Sequence, residues 1–252
     1  MSKNKHLFES YKQIINDYTF NNKKKFKDII DDPIISILSL SIFKNTQNLS
    51  NNSYGINNIQ DFAINIELLL KEINKININK ILLHKFKKIL SLHKQLINNY
   101  TTIIGQLTDF QKLHKFLIGY KTINNSFKKI ENLSNKNNIT IENITDDVYC
   151  NIIQMSVIIS WILGDGDLTQ LNKIKIISYH IGYLYKIYID IKNNIKEFNY
   201  LKYYSHFEVM EIYLNHKEKM LIELMNLNIK FEIIDEIVKY FDEKISLVSN
   251  NM

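Results

Sequence analysis

Apolar residues recur every three or four positions along most of this chain, and that spacing predicts helices. The clearest run lies between Leu171 and Phe198. Plotted at 100° per residue, Leu171, Ile174, Ile177, Ile181, Leu184, Tyr188, Ile191, Ile195 and Phe198 share one broad face. Lys186, Asp190 and Asn193 fall on the opposite side, one turn apart, with Gly182 just before them. Such a stripe either faces water or lines a polar cavity, and a solvated face is the commoner case.

The same reading extends along the chain. Pro33 to Phe43 is an apolar run predicted to be a buried helix, with Asp32 as cap and proline in the first turn. Capping accounts for Asp32, and the D-x-x-D-D formed by Asp28, Asp31 and Asp32 offers too few oxygens for a hard cation. Residues 44–58 read as a loop. Residues 81–120 read as one long amphipathic segment in which Gly105 permits a close helix approach. His93 and His114 fall on its apolar face as core or boundary histidines, without metal-ligand spacing beside them. Residues 120–145 are Asn- and Lys-rich and read as a loop with a short helix. Asp146 and Asp147 then open a buried helix, where acids suit the dipole. Trp161 reads as core, and Gly164 to Asp167 as a C-cap, a turn and the next N-cap. Two more helical stretches occupy residues 199–245. Residues 1–32 are polar, with Lys23 to Lys25 the densest basic run, and read as a solvated face or loose terminus. The expectation is one all-α domain over residues 33–246, preceded by a polar segment over 1–32.

Composition narrows the class. The chain has 252 residues, 45% hydrophobic, with one Pro and six Gly, too little punctuation for a many-stranded β fold. The single cysteine, Cys150, sits in an apolar run, offers no disulfide frame and fits a reducing compartment. Asn151 and Gln154 interrupt the best candidate for a membrane span, and the first ten residues lack the apolar core of a signal peptide. A cytoplasmic protein is expected. A net charge of +6 raises anionic partners as a class, but all 32 basic residues are lysines. Tight phosphate recognition usually uses the bidentate guanidinium, so nucleic-acid binding is not expected.

Five short stretches resemble the trans-isoprenyl diphosphate synthases of the polyprenyl synthetase family, in versions such as those of large DNA viruses. Gly105-Gln106-Leu-Thr-Asp109 matches the family's G-Q-x-x-D. Gly182 to Asn193 occupies the place of its second aspartate motif, G-x-x-F-Q/K-x-x-D-D-x-x-D. Residues 61–69 resemble the helix leading into the first aspartate motif, Pro33 to Phe43 the segment after G-G-K-R-x-R-P, and residues 231–245 the C-terminal helices. The resemblance implies an isoprenoid-synthase-type helical bundle.

The functional letters inside this frame are mostly changed. Asp31 and Asp32 stand where the family has bases, and residues 71–80 hold no paired aspartates. Val148 and Tyr149 replace a Lys-Thr pair whose lysine binds diphosphate, and Ile189, Asp190 and Asn193 replace three aspartates. The resemblance therefore implies a degenerate homologue, a non-catalytic subunit or scaffold, with Gln106, Asp109, Lys186, Asp190 and Asn193 as retained pocket residues. No cofactor is expected. An active prenyltransferase with rebuilt sites is the first alternative, with magnesium held in part by Asp190, and a lysine-rich module for anionic partners is the second. A homodimer, or a heterodimer with an active synthase, is the partner the resemblance implies.

Overall fold

The computed structural model describes residues 5–22, 33–46, 54–74, 83–105, 112–134, 138–193, 198–227 and 231–249, and every regular element among them is helical. The chain divides into two compact units, one of residues 1–124 with 156–168 and one of residues 125–155 with 169–252.

The first unit is built around α2 (Ile34–Thr46), which packs against α1 (Lys5–Asn21) and α3 (Tyr54–Asn74). Every residue of α2 from Ile34 to Phe43 is buried, including Ser36, Ser39 and Ser41. Buried hydroxyls need partners: Ser36 Oγ donates to Ala63 O at 3.2 Å, and Ser39 pairs with Ser156. The amides an N-cap side chain would take, those of Ile35 and Ser36, donate instead to Glu67 Oε2 of α3 at 2.9 and 3.1 Å. Asp28, Asp31 and Asp32 lie outside the described residues.

Several sequence expectations change here. The polar N-terminal stretch forms α1, because Phe8, Tyr11, Ile15 and Thr19 recur at helical spacing and are buried. The segment 81–120 is two helices, α4 (Leu83–Gly105) and α5 (Lys112–Ser134). The supposed loop after Tyr120 is α5, since Ile123, Phe127, Ile130 and Leu133 are buried on one face while its Asn and Lys residues lie mainly outward. This face runs back through Gly119 and Lys115, so Leu117 and His114 are exposed rather than core. A close approach occurs at Gly119, where an added Cβ would meet the Tyr100 ring at 2.1 Å.

Helix α7 (Asn151–Leu163) ends as expected, with Gly164 as its C-cap, its N–H donating to Ser160 O at 2.9 Å. Asp165 takes the left-handed conformation (φ 71°), with Gly166 N–H to Trp161 O at 2.8 Å and Asp165 N–H to Ile162 O at 3.3 Å. Asp165 is held there by Lys115 Nζ at 2.6 Å. Trp161 is core, its Nε1 donating to Asp167 O.

The second unit is built around α8 (Leu171–Asn193). The turn of chain before α7, α10 (His206–Met225) and α11 (Glu232–Ser249) all pack on it. The chain enters through α6 (Ile141–Ile144), where Thr140 and Asn143 form a reciprocal cap, then a π-helical turn over Thr145–Cys150. Asp146 and Asp147 thus lie in this turn, not at a helix start. Ile181 to Tyr188 are all buried, as is Asp190, so Lys186 and Asp190 of the polar stripe do not face water as expected. Helix α8 stops at Asn193, five residues short of Phe198, which lies in a turn before the short α9 (Tyr200–Tyr203).

Candidate functional site

The second unit holds the place of the second aspartate motif. Its geometry begins at Gly182: a Cβ there would come 2.5 Å from Cys150 Cα, so the two backbones touch. This contact sets Tyr149 beside Lys186, whose Nζ lies 5.1 Å from the Tyr149 ring centroid and 5.9 Å from that of Tyr200. Burial of the Tyr149 phenol, with the Asp190 charge nearby, pushes its pKa well above the usual tyrosine range.

Lys186 and Asp190 are one turn apart on α8, and each side chain is 1% exposed. The ammonium donates to both carboxylate oxygens, at 2.6 and 2.5 Å, and to Phe198 O at 2.6 Å. Asp190 Oδ2 also accepts from Tyr200 N–H at 2.9 Å, and Asp190 O accepts from Asn199 Nδ2 at 3.0 Å. Asn199 Oδ1 caps α9 by accepting from Leu201 N–H, and the Tyr200 hydroxyl meets Thr145 Oγ1 at 3.1 Å. The ion pair therefore clasps the returning chain, residues 198–200, onto α8. A buried charge is tolerated only when paired and hydrogen-bonded, and both charges meet that condition.

A second cluster lies on the same helix. Tyr179 and Tyr183 stand at i and i+4, and both hydroxyls donate to Asp146 Oδ1, at 2.8 and 3.0 Å. The Tyr183 ring stacks on His216 of α10 at 3.7 Å between centroids. His216 Nδ1 and His180 Nδ1 are 2.9 Å apart. Burial and the neighbouring His180 and Lys219 charges bring the His216 pKa down to about 4, and burial lowers that of His180.

Of the residues singled out from sequence, Lys186 and Asp190 come together, and Asn193 is the last residue of α8. Gln106, Asp109 and residues 75–80 lie outside the described residues. Sequence reasoning missed Tyr200 and Asn199 as partners of the pair, and the histidines and tyrosines of the second cluster. Only the Tyr179–Tyr183 spacing carried a signal.

Magnesium, which the family resemblance implies, does not fit the residues described. A hard divalent cation wants about six oxygen ligands, whereas Asp190 gives both oxygens to Lys186 and one also to a backbone amide. The acids of α3 are committed likewise, Asp61 to the Tyr18 hydroxyl at 2.8 Å and Glu67 to the amides of α2. Among the described residues no three His, Cys, Asp or Glu side chains gather around one point.

No protein-family model and no curated protein matches this chain. Solved structures do. An FPP/GFPP synthase from Zymomonas mobilis, in its apo form, superposes with a TM-score of 0.61 at 11% identity, covering 94% of this chain and 98% of that one. A geranylgeranyl pyrophosphate synthase superposes with a TM-score of 0.59 at 11% identity, covering 98% and 99%. At such identity the likeness establishes the fold: this is the all-α isoprenoid-synthase architecture.

Proposed function

We propose that this chain is a degenerate polyprenyl synthetase homologue, one that keeps the helical frame, has lost prenyl transfer and serves as a non-catalytic subunit or binding protein. The observation that carries the reading is the closed Lys186–Asp190 pair. Prenyl synthases of this fold ionise an allylic diphosphate, and that step draws on metal-held carboxylates and cationic groups aimed at the leaving diphosphate. In this chain the one acid left at the second motif neutralises a lysine of its own helix, and Val148 and Tyr149 stand where the family has the Lys-Thr pair whose lysine binds diphosphate. Positive and negative charge cancel inside the protein, and neither is turned toward a ligand. The partner consistent with this reading is a second copy of the chain or an active prenyl synthase.

Prenyl transfer by the purified protein tests the reading. Isopentenyl diphosphate is supplied with each common allylic diphosphate, with and without magnesium, beside an active control enzyme. No elongated product is expected at either magnesium level. Magnesium-dependent elongation that vanishes in Asp190→Ala would overturn the proposal and establish that a reduced site suffices.

A further inference from the structure

Two imidazoles from different helices aim the same kind of nitrogen at one another: His180 Nδ1 of α8 and His216 Nδ1 of α10, 2.9 Å apart. We propose that this pair is a two-histidine site for a borderline transition-metal ion of the zinc, nickel or copper class, which ties α10 to α8. Two metal–nitrogen bonds of about 2.0–2.1 Å at a tetrahedral angle place the nitrogens roughly 3.4 Å apart. The ion therefore needs the rings to part by only about half an ångström from their hydrogen-bonded separation.

The rings are already oriented for it. The Tyr183 ring lies 15° from the plane of His216 and stacks on it, and the Tyr179 ring meets His180 edge-on at 71°. Both tyrosines are fixed in turn by the Asp146 carboxylate. Ring planes held by packing against fixed neighbours cost less ordering when an ion binds. His180 is buried and His216 half-buried, so one side of the pair stays within reach of water for the remaining coordination positions.

Ligand chemistry selects the ion. Imidazole suits zinc, nickel and copper, while magnesium and calcium take oxygen donors. Ligation needs each Nδ1 without its proton, and the Lys219 charge acts on both rings. Lys219 also repels the incoming cation, and with only two protein ligands the affinity should be modest. This site is independent of the prenyl-transfer reading, and neither result bears on the other.

Calorimetric titration of the untagged protein with Zn²⁺, Ni²⁺ and Cu²⁺ tests the proposal, paired with thermal melting. One ion per chain is expected, with a raised melting temperature and the tightest binding for copper. His180→Phe and His216→Phe should each weaken binding at least tenfold and abolish the shift, while His206→Ala should change neither. Electron paramagnetic resonance of the copper-loaded wild-type protein decides the matter should a variant fail to fold. Hyperfine coupling to two imidazole nitrogens is expected. Coupling to fewer than two, or unchanged affinity in a folded His216→Phe protein, would overturn the site.

Discussion

Removing the Asp190 carboxylate leaves the Lys186 ammonium buried with Phe198 O as a remaining acceptor and strips the Tyr200 amide of its acceptor. Breaking a buried ion pair from one side costs about 3–5 kcal/mol, because the surviving charge is left uncompensated. Asp190→Ala should therefore lower the melting temperature by about 6–20 °C, taking roughly 2–4 °C per kcal/mol for a chain of this size. The double variant Lys186→Met/Asp190→Ala should recover at least about 2 kcal/mol relative to the sum of the single changes, since neither charge then remains. Urea unfolding followed by helical circular dichroism at 222 nm, without magnesium, measures all four corners of the cycle. A solvated stripe would give a loss within about 1 kcal/mol. A carboxylate held in readiness for a metal would give no loss or even a gain, as sites kept for function often do. Either result for Asp190→Ala refutes the claim that the pair is a structural clasp.

Other perturbations probe the same architecture. Gly182→Ala should destabilise by about 1–3 kcal/mol in the same unfolding assay, because the added methyl meets the Cys150 backbone at 2.5 Å and backbone has no rotamer by which to yield. Glu67→Leu should expose the Ile35 and Ser36 amides to faster hydrogen exchange and cost about 1–3 kcal/mol for each amide left unpaired. Alkaline pH should unfold the protein early. Burial, with Asp146 adding to it, lifts the Tyr179 pKa to about 12, and burial lifts Tyr149, Tyr200 and Tyr213 further. A folded pKa above the unfolded one means stability that is complete below about pH 10 and lost as pH rises toward the folded pKa. For fully buried Tyr149 that is about 1.4 kcal/mol per pH unit, and tyrosinate absorbance at 295 nm should rise together with loss of helix.

The sequence made some elements readable and hid others for physical reasons. Helix α2 was legible because its apolar run is nearly unbroken and begins at Pro33; Glu67 as acceptor for its Ile35 and Ser36 amides was not, since it arrives from another helix. Helix α5 was hidden because its outward Asn and Lys residues outnumber the inward Ile123, Phe127 and Ile130, which weakens the apolar signal. The polar stripe holding Lys186 and Asp190 was legible, but periodicity reports only which face is polar. Whether that face meets water depended on Phe198, Asn199 and Tyr200, which return to it after the helix has ended. His180 and His216 lie 36 residues apart, and nothing in the spacing of either foretold that they meet.

Binding of magnesium diphosphate tests the central claim most directly, since it asks whether the charges on α8 are available to a ligand. Isothermal calorimetry of the wild-type protein with inorganic diphosphate, at zero and saturating magnesium, is compared with Asp190→Asn. The closed pair should give no saturable heat at either magnesium level. Saturable, magnesium-dependent binding that is lost in Asp190→Asn would contradict the account, because it would require the carboxylate to leave Lys186 for the metal.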